Sequence, residues 1–149
     1  ALLAPEGHLA GPAATAPQLA AARLALIAAR QVGAMDLGQA AVVAGARVVA
    51  TEDVAGTDDL LARVQRYRSG GLIGDADDTP VVLAKACKPQ QPLFVDLPVI
   101  GPETLAGAAR AGISLIAAEA GRTLVLERGR FMAEADECGV SVVGLRIDG

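Results

Sequence analysis

Aromatic residues are scarce in this chain of 149 residues. It has no tryptophan, and its aromatic side chains are Tyr67, Phe94 and Phe131. By contrast, alanine occurs 32 times, and 52% of the residues are apolar. An apolar fraction near one half supplies a packed core and excludes an intrinsically disordered chain. Because that core has to be built from alanine, valine, leucine and isoleucine, we expect the helices to lie close to a sheet.

Other absences exclude whole classes of function. The 13 basic residues are outnumbered by 17 acidic ones, so the chain lacks the basic surface of a general nucleic-acid binder. Its two cysteines, Cys87 and Cys138, form neither a zinc-binding pattern nor a disulfide framework, and we expect both to be free. His8 is the single histidine, which excludes a histidine-based zinc site or a Ser-His-Asp triad within the chain. Apolar runs such as residues 24–29 are too short to cross a bilayer.

The first 16 residues have the composition of a linker. They include Pro5, Gly11 and Pro12, and the chain begins without a methionine. Proline and glycine at this density interrupt regular structure. We therefore assign residues 1–16 to an interdomain linker and residues 17–149 to one domain, which we expect to be the C-terminal part of a longer protein.

Alternating helix and strand patterns predict an α/β fold. Thr15 and Thr57 are expected to cap the first two helices. Periodic apolar positions predict helices over residues 17–32, 58–68, 101–112 and 128–138. Apolar runs bounded by turn residues predict strands over residues 39–44, 47–52, 80–87, 113–118, 123–127 and 140–145.

Glycine turns join two pairs of these strands. We expect hairpins around Gly45 and Gly121, which require antiparallel neighbours, whereas the apolar strand 80–87 is expected to be central. The fold class is therefore α/β, with a mixed sheet, β-hairpins and about four helices. It is not a standard Rossmann fold, because no Gly-x-Gly-x-x-Gly follows a strand and no Walker-type loop occurs.

Residues 85–104 carry the most suggestive chemistry. Lys85 and Lys88 follow a buried strand, Asp96 stands between prolines, and Glu103 and Thr104 open a helix. Lysines and the free N–H groups of a helix start attract phosphate oxygens, and a carboxylate nearby can hold Mg²⁺ or position water. The alternative is structural: Lys85 extends from a strand edge, Asp96 caps a turn, and Glu103 complements the helix dipole.

Two further segments offer polar groups at element ends. One consists of residues 35–39, which end in Gln39, together with residues 52–58, in which Thr57 and Asp58 bring a hydroxyl and a carboxylate to a helix start. Arg122 lies in a glycine turn, where its guanidinium is placed to reach a phosphate. The alternatives are an ordinary helix cap and an ordinary turn. The acidic run at residues 75–78 is interpreted as a solvated loop rather than a metal site.

Several motifs occur in the order that they have in one protein family. They are LAPEG (3–7), MDLGQ (35–39), GTD (56–58), KACKP (85–89), VDLPVIGPET (95–104), EAGRT (119–123), ADECG (135–139) and VVG (142–144). With them the chain resembles, over nearly its whole length, the C-terminal domain of the LpxI family, the UDP-2,3-diacylglucosamine pyrophosphatases of lipid A biosynthesis. The run from Asp96 to Thr104 is the most specific. The chain departs from the family pattern at residues 90–92 and at Phe94, so these positions are not counted as ligand contacts.

The resemblance implies an activity and a site. The family hydrolyses the pyrophosphate bond of UDP-2,3-diacylglucosamine to UMP and 2,3-diacylglucosamine 1-phosphate (lipid X), with Mg²⁺ as cofactor. In that chemistry Asp96 is the expected catalytic residue and metal ligand, and Lys85 and Lys88 clamp phosphate. The further expected substrate contacts are Gln39, Thr57, Asp58, Glu103, Thr104 and Arg122.

The resemblance also implies partners and a location. The family has an N-terminal domain, with the active cleft between the two domains, so we expect this chain to be inactive without that half. The expected enzyme is cytoplasmic, with peripheral contact to the inner membrane, and homo-oligomeric. Two alternatives belong to other classes: a non-catalytic module that binds nucleotide sugar or lipid, and a dimerisation domain.

Overall fold

Four helices and nine strands make up the part of the chain that the computed structural model describes, which is residues 2–74, 79–88 and 97–147. The strands are β1 (Leu2–Leu3), β2 (Gly7–Ala10), β3 (Ala40–Ala44), β4 (Arg47–Thr51), β5 (Val81–Lys85), β6 (Val99–Ile100), β7 (Leu115–Glu119), β8 (Leu124–Val125) and β9 (Ser141–Leu145). The helices are α1 (Ala16–Ala34), α2 (Gly56–Ser69), α3 (Pro102–Arg110) and α4 (Arg128–Cys138).

The strands form one large mixed sheet and one small sheet. The large sheet has the order β2-β9-β7-β5-β3-β4, in which β5, β7 and β9 are parallel and the other pairings are antiparallel. The small sheet has the order β1-β8-β6. The α/β class and the mixed sheet predicted from the sequence are thus confirmed, and β5 is central as expected.

The two faces of the large sheet are covered differently. Helix α1 packs on one face, across β3, β5 and β7. On the opposite face the side chains of Val42, Leu83 and Ile116 join those of α2, α3 and α4 in one core. Alanines of α1 such as Ala25 and Ala29 are fully buried against the sheet. Their small side chains allow the close approach that the composition predicted.

The predicted start of α1 and the predicted end of α4 rest on local signals and are confirmed, whereas α1 continues through Gly33, where it was predicted to end, to Ala34. The Thr15 hydroxyl accepts a hydrogen bond from the Gln18 N–H (3.2 Å), and the Gln18 side chain accepts one from the Thr15 N–H (2.9 Å). This is a capping box, which satisfies two backbone donors that the helix leaves unpaired. At the other end of the chain, Gly139 terminates α4 with a positive φ of 74°, a conformation that glycine adopts without strain.

The hairpin predicted around Gly45 is confirmed, whereas the one predicted around Gly121 is wrong. β3 and β4 pair antiparallel across Gly45. β7, however, has β5 on one edge and β9 on the other, so the strand that follows it has no edge left to pair with. The chain therefore turns at Gly121 and continues as β8, which joins the small sheet between β1 and β6.

The N-terminal segment differs from the irregular linker expected for residues 1–16. β1 pairs with β8, and β2 pairs with β9 at the edge of the large sheet. Ala4, Leu9 and Ala10 are buried in the core. A side chain at Gly144 would meet the Pro5 carbonyl oxygen at 1.8 Å, so the two backbones touch here. The role of this segment as an interdomain connection stays a prediction.

The helices can be compared in length and hydropathy with a membrane-spanning helix. Within the ranges that the structure covers, none is both long and apolar enough to cross a bilayer. α1 is the longest helix at 19 residues, and it carries Arg23 and Arg30.

Candidate functional site

One end of the large sheet gathers the polar side chains that the sequence singled out. Because β4 and β5 run parallel to each other and β3 runs antiparallel between them, the ends of β4 and β5 meet the start of β3. The register places Lys85 opposite Ala40, the residue after Gln39. We call the group Gln39, Glu52, Thr57, Lys85 and Lys88 the strand-end site.

Lys85 is the most constrained member of the strand-end site. It is only 9% exposed, and its ammonium donates a hydrogen bond to the Val99 carbonyl oxygen at 2.8 Å. Burial lowers the pKa of Lys85, and the carboxylates of Glu52 and Asp58 partly offset that effect. An ammonium has three N–H donors, and Val99 provides the only hydrogen-bond acceptor for them in the described part of the chain. The remaining donors suit an anionic oxygen.

Glu52 organises the strand-end site, a role that the sequence analysis did not assign to it. Its Oε1 accepts a hydrogen bond from the Gln39 N–H at 2.6 Å, and its Oε2 accepts one from the Thr57 hydroxyl at 2.5 Å. A side chain at position 38 would meet Glu52 Oε1 at 2.5 Å, so Gly38 makes room for this carboxylate. Gly38 is the sequence feature that could have indicated Glu52. It could not be interpreted, however, without the strand register that brings Glu52 beside it.

Thr57 does not cap α2 as predicted. The helix begins at Gly56 with Ala55 as its N-cap residue, and Thr57 lies in the first turn. Its hydroxyl donates a charge-assisted hydrogen bond to the Glu52 carboxylate instead of accepting one from a backbone N–H of the helix. Asp58 lies beside it in the first turn, where a carboxylate complements the helix dipole. The charge of Asp58 acts on the Lys85 ammonium, so the start of α2 lies near Lys85.

Arg63 explains why α2 starts at this end of the sheet. Its guanidinium donates a hydrogen bond to the Thr51 carbonyl at 2.7 Å and pairs with Asp59 at 3.0 Å. Burial by itself lowers the pKa of Arg63, but its hydrogen bonds to Asp59 and Tyr67 and the charges of Asp53 and Asp59 raise it overall. The bond to Thr51 ties α2 to the last residue of β4.

Lys88 stands on the solvent side of the strand-end site. Its ammonium pairs with Asp36 at 2.5 Å, which lowers the pKa of that carboxyl. Lys88 also lines a polar cavity of about 300 Å³ together with Gly38, Gln39, Glu52 and Leu97. The ammonium of Lys88 gives this cavity a group that can bind an anion such as a phosphate group.

Glu103 and Thr104 lie at the start of α3, apart from this cavity. Thr104 accepts a long hydrogen bond from the Gly101 N–H (3.4 Å) and so helps to begin the helix. Glu103 is exposed and lines two grooves, one between α2 and α3 and one between α3 and α4. The bond from Lys85 to Val99 links the segment before α3 to the strand-end site.

Arg122 lies in the turn after β7, where its guanidinium is 3.9 Å from the buried carboxylate of Glu119. It does not line the strand-end cavity. Glu119 in turn accepts a hydrogen bond from the Cys87 N–H at 2.9 Å. Both cysteines are free as predicted, and burial raises the pKa of the Cys87 thiol.

Asp96, the predicted catalytic residue and metal ligand, lies outside the described residues, as does the acidic run at 75–78. Among the residues that are described, no three acidic, histidine or cysteine side chains cluster around a common point. Mg²⁺ usually binds one or two carboxylates plus substrate phosphates. Both oxygens of Glu52 already accept hydrogen bonds, so Asp58 is the carboxylate near Lys85 that better fits a metal.

The chain is similar to known proteins over nearly its whole length. The family model described as "LpxI C-terminal domain" matches residues 5–143. The chain is also 44% identical over 142 residues to a protein of Caulobacter vibrioides named UDP-2,3-diacylglucosamine pyrophosphatase LpxI. That alignment covers 95% of this chain and 50% of the relative, so the chain spans about half the length of the curated relative that it matches.

Proposed function

Since the chain belongs to the LpxI C-terminal domain family, we propose that it is the C-terminal half of a hydrolase that cleaves the pyrophosphate bond of UDP-2,3-diacylglucosamine. The products would be UMP and 2,3-diacylglucosamine 1-phosphate, which places the enzyme in lipid A biosynthesis. The name of the Caulobacter relative supports the substrate and the reaction class.

The observation that carries the proposal is the buried ammonium of Lys85. Hydrolysis of a pyrophosphate depends mainly on positioning and on neutralising clustered negative charge. Lys85 offers a buried positive charge with N–H donors left over, and Lys88, which lines the polar cavity, offers a second and more exposed one. We assign both lysines to the phosphate clamp.

The remaining polar groups take supporting roles in this proposal. Thr57, held by Glu52, and Gln39 are assigned to hydrogen bonds with the sugar or phosphate oxygens. Asp96 is assigned to the attacking water and, together with Asp58, to a metal ion. When bound, Mg²⁺ would withdraw charge from the phosphoryl oxygens.

The acyl chains of the substrate need apolar surface. The space between the large sheet and its helices is filled by side chains, so we assign the acyl chains to the groove between α3 and α4. The α3–α4 groove has a volume of about 360 Å³ and includes Leu105 and Ala109. Each buried CH₂ group contributes about 0.8 kcal/mol to binding.

The proposal includes a partner and a location. An N-terminal domain of the same enzyme would close the substrate-binding cleft, which agrees with the half-length match to the relative. A diacylated substrate resides in a membrane, so we place the enzyme in the cytoplasm in peripheral contact with the inner membrane. We also propose that it is a homo-oligomer.

The test is Mg²⁺-dependent release of UMP from UDP-2,3-diacylglucosamine. We expect little or no release by the 149-residue chain alone, and restored release when the chain is combined with the N-terminal half of the Caulobacter relative. Two results would contradict the proposal. Full activity of the chain alone would remove the need for a second half, and substrate binding without release in either sample would identify a binding module.

A further inference from the structure

Glu119 is a buried carboxylate that the proposed reaction does not use. It is the last residue of β7 and is 6% exposed. Its Oε1 accepts a hydrogen bond from the Cys87 N–H at 2.9 Å, and its Oε2 is 3.9 Å from Arg122. A buried carboxylate lowers stability unless it is hydrogen-bonded or paired. Both kinds of partner are present here, and both belong to segments beside the strand-end site.

The contact lies where β5 separates from β7. Lys85 is the last residue of β5 and still pairs with Ala118 of β7. The next N–H, of Ala86, turns to the other side and donates to the Gln39 carbonyl at 2.9 Å. The N–H after it, of Cys87, meets the Glu119 side chain rather than a backbone carbonyl of β7. The Glu119 carboxylate therefore replaces a backbone carbonyl as hydrogen-bond acceptor at the point where the pairing of β5 with β7 ends.

This pairing fixes the peptide that carries Lys88. Ala86 is bound on the β3 side and Cys87 on the β7 side, so the backbone is held from both sides immediately before Lys88. We propose that Glu119 is a positioning residue that directs the Lys88 ammonium into the strand-end site, with Arg122 as its counter-ion. The part of this proposal that concerns phosphate binding rests on the proposed function, whereas the positioning of Lys88 does not.

Two substitutions separate the hydrogen bond from the charge. Glu119→Gln keeps a carbonyl oxygen in the same place but removes the negative charge. Glu119→Ala removes the acceptor and leaves the buried Cys87 N–H without a partner. Glu127→Gln is the matched control, because it removes one negative charge from an exposed glutamate at the start of α4.

The first measurement uses the full chain without substrate. Amide hydrogen exchange and the rate of Lys88 acylation, both read by mass spectrometry, report on the backbone and on the ammonium. In Glu119→Ala we expect exchange at Cys87 about tenfold faster and a clearly changed acylation rate at Lys88. Exchange at Leu83 and Ala117 should stay the same, and Glu119→Gln and Glu127→Gln should match the unmodified chain. Equal acceleration across β5 and β7, or no change at Cys87 and Lys88, would overturn the proposal.

The second measurement uses inorganic pyrophosphate as the probe and titration calorimetry as the readout. Glu119→Gln should bind pyrophosphate at least as tightly as the unmodified chain, because it removes a negative charge near the anion. Glu119→Ala should bind several-fold more weakly. Equal affinity of the two variants, in a chain where Lys88→Ala does weaken binding, would overturn the positioning role.

The two proposals fail in different ways. If Lys88→Ala leaves pyrophosphate affinity unchanged, the phosphate clamp of the proposed function is wrong, and the role of Glu119 is then decided by exchange and acylation alone. If Glu119→Ala does not fold, Glu119→Asp replaces it, because a side chain shorter by one CH₂ group cannot reach the Cys87 N–H from the same backbone position. The same pattern of changes at Cys87 and Lys88 is expected.

Discussion

Burial of the Lys85 charge lowers the free energy of unfolding of the protein. It is buried at the end of a central strand, and the nearby carboxylates only partly compensate. Replacing a buried charged group by an apolar one of similar size often stabilises a protein. We therefore expect Lys85→Met to raise the Tm by about 3 °C, which corresponds to ~1 kcal/mol for a chain of this size. The same variant should lose pyrophosphate binding, and a lowered Tm would contradict this account.

The depressed pKa of Lys85 gives this cost a pH dependence. At pH values below its folded-state pKa, Lys85 is protonated in both states and the cost is present in full. Between that pKa and the ordinary value of 10.5, the unfolded chain holds a proton that the folded chain has released, so stability rises with pH. The gain in stability from Lys85→Met should therefore shrink as the pH is raised toward 10.5, which thermal unfolding in parallel buffers can measure.

Lys88 should affect substrate binding more than folding. It is partly exposed and its ion pair with Asp36 lies in solvent, so its loss should leave the Tm nearly unchanged. Each charge-assisted hydrogen bond to phosphate contributes about 1.5–3 kcal/mol. In the two-domain enzyme we expect Lys88→Ala to raise the KM by roughly 10- to 100-fold. Asp36→Asn is the control and should not raise it. Unchanged KM and kcat for alanine variants of both Lys85 and Lys88 would show that neither lysine binds the substrate.

Asp96 should be required for turnover. In the sequence it stands in a run of apolar residues, 93–97, bracketed by Pro92 and Pro98. A carboxylate in apolar surroundings needs a partner, and a metal ion is one. We expect Asp96→Asn to abolish turnover in the two-domain enzyme while substrate binding remains, measured as kcat at saturating Mg²⁺ together with the Tm. If Asp96 only caps a turn, the variant will be active, because asparagine caps about as well as aspartate.

At the scale of elements, the Thr57 hydroxyl joins the first turn of α2 to Glu52, the residue after β4. Thr57→Val keeps the shape of the side chain but leaves Glu52 Oε2 without its donor. We expect this change to lower the free energy of unfolding by about 1 kcal/mol, and to disturb Gln39, which shares Glu52. Denaturation in urea measures the effect. Thr57→Ser retains the hydroxyl and should behave like the unmodified chain, and an equal loss in both variants would show that the hydroxyl is not the cause.

The sequence predicted those elements whose signals are local. α1 has its cap at Thr15 and α4 ends at Gly139, and each signal lies within the element that it bounds. The turn at Gly121 looked like the turn at Gly45, yet only the latter joins a hairpin. The difference lies in whether the preceding strand has an open edge, which depends on strands far away in the sequence. β1 and β2 are too short to show an apolar period at all.

The same reasoning applies to the site. Lys85 and Lys88 could be selected because two cations at the end of a buried strand are unusual in any fold. Glu52 and Glu119 could not, because an isolated glutamate at a strand end has no distinctive pattern. Their roles depend on the strand register, which places Glu52 beside Gln39 and Thr57 and places Glu119 beside Cys87.

At the scale of the whole molecule, the N-terminal segment should be essential to the domain. Removing residues 1–11 would uncover one edge of β9 and take Leu9 and two buried alanines out of the core. Losing Leu9 alone should cost about 2 kcal/mol, so we expect a clear fall in Tm, measured by calorimetry. Gly144→Ala should act in the same direction, because its Cβ would displace Pro5 without shortening the chain. An unchanged Tm in the shortened chain would show that the segment is peripheral.

The pairing of β2 with β9 has a consequence for how the protein is made. β2 leaves the ribosome well before its partner, residues 141–145, is synthesised. Contacts between such distant segments form slowly, since a long loop must close first. Until then the edge of β2 remains unpaired and open to association with other nascent chains. In pulse-labelling experiments, amides of the β3–β4 hairpin should become protected early during refolding, and those of β2 should become protected last.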